Sequence, residues 1–207
     1  VTEAWIRLFL TFSVKPASPR VAGIIARVDN DYGFWWSPSN KQIYGITGTA
    51  RPVDFAMGDP NSRANYLNEH EVTTIIRFEG FKLWGNRTTS SDPKFAFLSV
   101  RRTADMINES ILRNHLWAVD RNITKTYLED VTEGVNNYLR SLKQRGAILG
   151  GEAWPDPELN SEQAISQGKV YINFRFTPPY PAEHVTFRSM VVNDYISEIV
   201  PEYDVAA

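Results

Sequence analysis

Three histidines, 24 carboxylates and six tryptophans are the groups with which this chain of 207 residues would do chemistry, and their spacing decides what they can do. His70 sits between Glu69 and Glu71, but no further ligands follow at the spacing a zinc site needs. His115 falls within an amphipathic stretch, where packing explains it, and His184 lies near a turn. Asp29-Asn30-Asp31 begins like a calcium loop, yet Gly33 arrives one place early and no glutamate closes it. There is no G-x-S-x-G elbow, phosphate loop, dinucleotide fingerprint or H-E-x-x-H. The sequence therefore nominates no catalytic residue, no metal ligand and no cofactor. One enzymatic alternative stays open. The paired carboxylates of a glycosidase come from distant segments, and Trp35, Trp36, Trp84, Trp117 and Trp154 are residues from which a carbohydrate-binding module or glycosidase builds its platform. Against it, Trp84 and Trp117 have apolar neighbours, which places both in the core. Asn86-Arg87-Thr88 and Asn122-Ile123-Thr124 match glycosylation acceptors, a short motif that carries weight only behind a secretory signal.

Composition narrows the classes further. With 43% hydrophobic and 22% charged residues, the chain has an ordinary globular balance, and a chain of this length buries roughly 70% of its unfolded surface. A net charge of −2 gives no electrostatic footprint for nucleic acid or an anionic membrane, so neither is expected as a partner. The absence of cysteine excludes disulfides and thiolate metal sites. The 13% aromatic content fits a well-filled core or a contact-rich surface. No segment reaches the ~20 apolar residues of a membrane-spanning helix. The opening VTEAWIRLFLTF is broken by Arg7 and has no cleavage site before Lys15-Pro16, which argues against a signal peptide. The first residue is Val, so a processed or truncated product is expected.

The elements that must position these residues follow from periodicity. Ser18-Pro19 starts a helix carrying Val21, Ile24, Ile25 and Val28, which Gly33 stops, and a loop pinned by Trp35 and Trp36 comes next. Residues 46–55 suit a short strand, and 61–69 a short helix with Tyr66 and Leu67 inward. VTTIIRFEGFKLWGNRT, residues 72–88, reads as a hairpin turning at Glu79-Gly80. Two helices follow. The first, about 103–118, carries Ile107, Ile111, Leu112 and Leu116; the second, about 124–145, carries Leu128, Val131, Val135, Tyr138, Leu139 and Leu142, with Gly146 as its stop. Residues 147–154 return as a strand, and 161–167 form a short capped helix. KVYINFRFT at 169–177 then alternates Val170, Ile172, Phe174 and Phe176 against polar neighbours, with a partner strand expected at 184–192. The fold class expected is α+β, one mixed sheet with hairpins packed by two long consecutive helices.

Five collinear segments resemble the C-terminal domain of contractile tail sheath proteins of bacteriophages and R-type pyocins. They are VAGIIARVDNDYGFWWSPSN at 21–40, ITG at 46–48, NEHEVTTIIRFEGFKLWGNRT at 68–88, RTADMINESILRNHLWAVDRNITKTYLEDVTEGVNNYLRSLKQRGAI at 102–148 and GKVYINFRFTPPYPAEHVTFR at 168–188. Sheath proteins of this kind are about twice as long. The resemblance therefore implies a C-terminal sheath domain alone, with 1–16 as a non-matching segment, 17–193 as the inner domain and 194–207 as a C-terminal arm.

The resemblance implies a structural subunit that polymerises as helical six-subunit rings around a tail tube and contracts to drive the tube into a target cell. It implies no enzyme activity and no cofactor. The partners implied are neighbouring sheath subunits and the tail tube protein, in a phage tail or tail-like particle assembled in the bacterial cytoplasm; the isolated chain is expected to be monomeric. In such sheaths, arms add strands to neighbours' sheets. The residues assigned to that contact are Val170, Ile172, Phe174, Val185, Phe187, Tyr195, Ile196, Ile199 and Val200. The polar face of the second helix, Lys125, Glu129, Glu133, Asn136, Asn137, Arg140 and Lys143, is assigned to the tube.

Overall fold

The computed structural model describes residues 14–199. The expectations for residues 1–13, for Val200 and for the tail after it lie outside the described residues. Helix α1 (Ser18–Asp31) buries Ile24 and Val28, the inward pair of its apolar stripe. Its N-cap is Ala17 rather than Ser18, and Tyr32 and Gly33 both donate back to the Val28 carbonyl at its end. The chain then crosses through Trp35 and Pro38 to a three-stranded antiparallel sheet ordered β1-β3-β2, from β1 (Gln42–Ile43), β2 (Thr74–Arg77) and β3 (Phe81–Trp84). The expected hairpin is present, in the register Thr74↔Trp84 to Arg77↔Phe81. Ile43 and Leu83 from this sheet close a core with Ile24 and Val28. Between the strands lies α2 (Arg63–Glu69), which Ser62 caps by accepting from the Asn65 N–H.

Helices α3 (Leu98–Asn114) and α4 (Lys125–Gln144) follow. Thr124 caps α4 by accepting from the Tyr127 N–H at 3.1 Å. At its other end Gly146 adopts φ 76°, the left-handed turn in which the Gly146 N–H reaches the Lys143 carbonyl and the Ala147 N–H reaches Leu142. That turn aims the chain into β4 (Gly150–Pro155), which pairs antiparallel with β5 (Ile172–Thr177) across the short helix α5 (Glu162–Ser166). Val135, Leu139 and Leu142 of α4 meet Ile107 of α3 and Ala147, Ile148 and Ala153 in the second core, against which Phe174 and Phe176 pack. Burying a leucine such as Leu139 stabilises by roughly 1.5–3 kcal/mol. A two-pronged ion pair from Arg102 on α3 to Asp29 on α1 joins the two halves.

The α+β class holds, but the sheet is divided. Among the described residues there are two antiparallel sheets, of three and two strands, in place of one mixed sheet. Residues 46–55 form no strand: Gly48 and Pro52 interrupt the run, and β1 already occupies the β3 edge they would need. Residues 184–192 form none either. Pro178, Pro179 and Pro181 prevent a tight hairpin after β5, so β5 takes β4 as its partner and its other edge stays open. Helix α3 begins five residues early and ends at Asn114, with a single 3₁₀ turn at Leu116–Ala118. That break takes Trp117 out of helical phase, leaving it 41% exposed rather than in the core, with Leu112 and Leu116 exposed too. Tyr66 likewise faces outward, stacked on His70, and Ala64 is the residue of α2 that is buried.

Candidate functional site

The three histidines are used locally. His70 Nδ1 donates to the Tyr66 carbonyl and His115 Nδ1 to the Ile111 carbonyl, both at 2.8 Å, while His184 Nε2 meets the Thr186 hydroxyl. Asp29, of the calcium-like triplet, is held by Arg102. Among the described residues no group of three or more His, Cys, Asp or Glu is placed to hold a metal ion. An open cleft of about 1020 Å³ lies between the two sheets and is lined by Trp35, Trp36, Trp84 and Asn86 among others. Its tryptophans serve the fold: Trp35 packs on the second core, and Trp84 is half-buried edge-on to Phe55 at 4.9 Å. In the orientation that satisfies both of its neighbours, the Asn68 amide accepts from Trp84 Nε1 and donates to the Val72 carbonyl. Asn86, the first glycosylation-type asparagine, is buried and donates to the Ser99 hydroxyl.

The surfaces assigned to assembly are set by strand parity and helix phase. On β5, Ile172 and Phe174 lie half-buried against the second core, with Val170 half-buried just before the strand. The far edge of β5 carries backbone groups for which the described residues supply no partner. After β5 the chain is strapped down briefly. Tyr180 meets Phe97 edge-on at 6.2 Å, and the Glu183 carboxylate accepts from Arg87 Nε and Nη2 at 2.6–3.0 Å. That hydrogen-bonded ion pair raises the Arg87 pKa above its ordinary value. Past Glu183 the described chain leaves the body: Val185 is 62% and Phe187 92% exposed, and Val191 is 97% exposed. Tyr195, Ile196 and Ile199 sit exposed on a 3₁₀ turn at Asp194–Ile199. An exposed run so rich in large apolar side chains is the signature of a segment that binds elsewhere.

The polar face of α4 divides. Lys125 pairs with Glu129 at 3.7 Å, Arg140 pairs with Glu133 and donates to Asn137 Oδ1 at 2.6 Å, and Lys143 is exposed. Asn136 does not join them. Its Nδ2 donates to the Ala153 carbonyl at 3.1 Å and its Oδ1 accepts from the Ala153 N–H at 2.8 Å, so the side chain belongs to β4. The sequence carried one sign of this, since Asn136 follows the buried Val135 and borders the inward stripe of α4. The strap from Tyr180 to Glu183 had no such sign, because its partners Phe97 and Arg87 are distant in sequence.

The model of the family described as phage tail sheath protein central domain matches residues 3–89, and that of the phage tail sheath C-terminal domain matches residues 90–192. The chain is similar to a putative prophage major tail sheath protein of Pseudomonas aeruginosa (strain UCBPP-PA14), 53% identical over 185 residues covering 89% of this chain and 48% of the relative. It is similar to the tail sheath protein of Escherichia phage P2 at 36% identity over 197 residues, covering 95% of this chain and 50% of that one. The chain thus spans about half the length of these curated relatives. Its fold is shared with the anti-feeding prophage helical sheath in the contracted state, with TM-score 0.76 and 24% identity over 84% of this chain and 50% of that one. A contracted-state sheath complex of the extracellular contractile injection system PVC gives TM-score 0.72 and 21% identity, again over 84% of this chain and 50% of the other. None of these relatives is a carbohydrate enzyme or binding module. Two adjoining sheath-domain models and relatives up to 53% identical leave one placement: this chain belongs to the contractile phage tail sheath family.

Proposed function

We propose that this chain forms the inner part of a tail sheath subunit that stacks in helical six-subunit rings around a tail tube, and that the polymer contracts to drive the tube into a target cell. The observation that carries the reading is a complementary pair of surfaces: a β5 edge without a partner, and the exposed apolar segment 184–199. In one molecule they do not meet; in a polymer the segment of one subunit adds a strand to the edge of the next. The residues for this contact are Val170, Ile172 and Phe174 on the acceptor, and Val185, Phe187, Tyr195, Ile196 and Ile199 on the donor, with Val200 as the continuation of the arm. Each main-chain hydrogen bond gained contributes ~0.5–1.5 kcal/mol net. Ordering each arm residue costs ~1–2 kcal/mol. A single junction is therefore marginal and the isolated chain stays monomeric, whereas a lattice that repeats and tethers the contact makes it decisive.

The outer face of α4, Lys125, Glu129, Glu133, Asn137, Arg140 and Lys143, is the surface we assign to the tube. Its charges are already paired along the helix, which suits a contact that must hold before contraction and release after it. Assembly in the bacterial cytoplasm, into a phage tail or tail-like particle, belongs to the same reading. Negative-stain electron microscopy tests it in a sheath polypeptide of the relatives' full length that carries this sequence. Striated tubes are expected, and deleting residues 194–207 abolishes them while leaving the thermal midpoint of the isolated chain unchanged. Normal tubes from the deletion variant would remove the arm from the account.

A further inference from the structure

A two-stranded sheet has two edges, and the proposed assembly uses one. The backbone parity of β4 and β5 shows how the other is closed. In an antiparallel ladder the N–H and C=O of each residue point to the same side, and that side alternates along the strand. Ala153 gives both groups to Asn136, so they point away from β5. Gly151 and Pro155 share that parity, and their partners across the ladder are Phe176 and Ile172, as Phe174 is the partner of Ala153. The outward donors of β4 are consequently few. Pro155 has no N–H, the Ala153 N–H is taken, and Gly151 alone remains. The outward face of β5 carries the N–H groups of Ile172, Phe174 and Phe176, and no described residue bonds them.

We propose that Asn136 acts as a one-residue strand that closes the β4 edge, so that the sheet grows on its β5 side only. A carboxamide carries the same donor and acceptor pair as a peptide group, which is why asparagine can occupy a ladder position that a neighbour's backbone would otherwise fill. The site is also dry: Ala153 is 7% exposed and lies in the second core, so leaving either of its groups unpaired is costly. Helix α4 packs on β4 and holds the amide in place. Asn136 thereby decides which edge a partner strand meets, a role different from the tube contact its position on the helix had implied. The inference rests on β5 as the acceptor edge, and it makes the order of the assembled sheet β4, β5, incoming strand.

Amide hydrogen exchange by NMR on the 207-residue chain tests it, with and without a synthetic peptide of the sequence of residues 184–199. In the parent, the peptide is expected to slow exchange at Ile172, Phe174 and Phe176 and to leave Gly151 and Ala153 unchanged. Asn136→Ala is expected to speed exchange at Ala153 roughly fivefold to tenfold without peptide, and with peptide the protection extends to Gly151 and Ala153. Asn136→Asp keeps the acceptor for the Ala153 N–H and removes the donor. It serves as the variant that retains the fold, with Ala153 still slowed but its carbonyl open to a partner. Unchanged Ala153 exchange in Asn136→Ala, or peptide protection at Gly151 and Ala153 in the parent, would overturn the proposal. Peptide protection at no β5 residue, with the Ala153 response present, would instead remove the acceptor reading and leave the edge closure standing.

Discussion

Replacing Gly33 by alanine should destabilise the chain for two separable reasons, and the same change ten residues earlier should stabilise it. Gly33 closes α1 with φ 109°, a backbone conformation that a residue with a Cβ adopts only under strain, costing ~1–3 kcal/mol. A Cβ built there would also lie 2.4 Å from two ring atoms of Trp35 and 2.8 Å from a third. Trp35 has little freedom to withdraw: it packs on the second core, meets Phe34 edge-on at 5.1 Å and lies under the Arg145 guanidinium at 5.4 Å. Forcing a packed ring to move costs ~1–3 kcal/mol. The two effects together give roughly 2–6 kcal/mol, a large part of the stability of an ordinary domain. At ~2–4 °C per kcal/mol for a chain of this size, the thermal midpoint should fall by roughly 10 °C. Gly23 is the control. It lies on the exposed side of α1 with nothing within 4 Å of a built Cβ, so Gly23→Ala should gain up to ~1 kcal/mol of helix propensity. Urea titration followed by tryptophan fluorescence measures both. A Gly33→Ala variant as stable as the parent, or both variants shifted in the same direction, would refute the reasoning.

Other consequences can be checked on the same chain. Leu139→Ala, at 1% exposure in the second core, should cost ~2–5 kcal/mol, whereas Trp117→Ala, at 41% exposure, should cost less than ~1 kcal/mol; equal losses in a urea series would contradict the placement of Trp117. Arg87→Ala removes a half-exposed ion pair and should change the folding free energy by less than ~1 kcal/mol, yet it should hasten proteolytic cleavage near Glu183, and an unchanged cleavage pattern would argue against the strap. The Asp156 carboxylate is held below its ordinary pKa, first by the Leu159 N–H and then by the Asn173 amide. A lowered carboxylate pKa contributes stability that is present above the unfolded value and is lost as pH falls through the folded one. Acid below about pH 4 should therefore loosen the turn at residues 156–160, and an NMR titration of Asp156 at or above its ordinary value would sink that prediction.

The sequence was most legible where one local pattern sufficed. Helix α4 announces its cap at Thr124, its inward stripe at Val131, Val135, Leu139 and Leu142, and its stop at Gly146. The hairpin from Thr74 to Trp84 announces its turn. Reading failed where the pattern was real but its partner was elsewhere. The alternation at Val185 and Phe187 is that of a strand, but alternation reports that one face will be buried, not against what. Trp117 was misplaced because one residue of broken phase at His115 rotates everything after it. Asn136 was grouped by helix phase with charged neighbours, and only the approach of β4 reveals that its amide completes a ladder. Long-range partnerships such as Arg87 with Glu183 leave no trace in periodicity.

The most direct test of the account is a cryo-electron microscopy reconstruction of the polymer formed by a full-length sheath polypeptide carrying this sequence, at a resolution that traces the backbone. The account predicts that residues 184–199 of one subunit run as a strand beside Ile172, Phe174 and Phe176 of a neighbour, with the Asn136 amide still bonded to Ala153. Segment 184–199 folded back on its own subunit, or a partner strand seated on the β4 edge in place of Asn136, would contradict it.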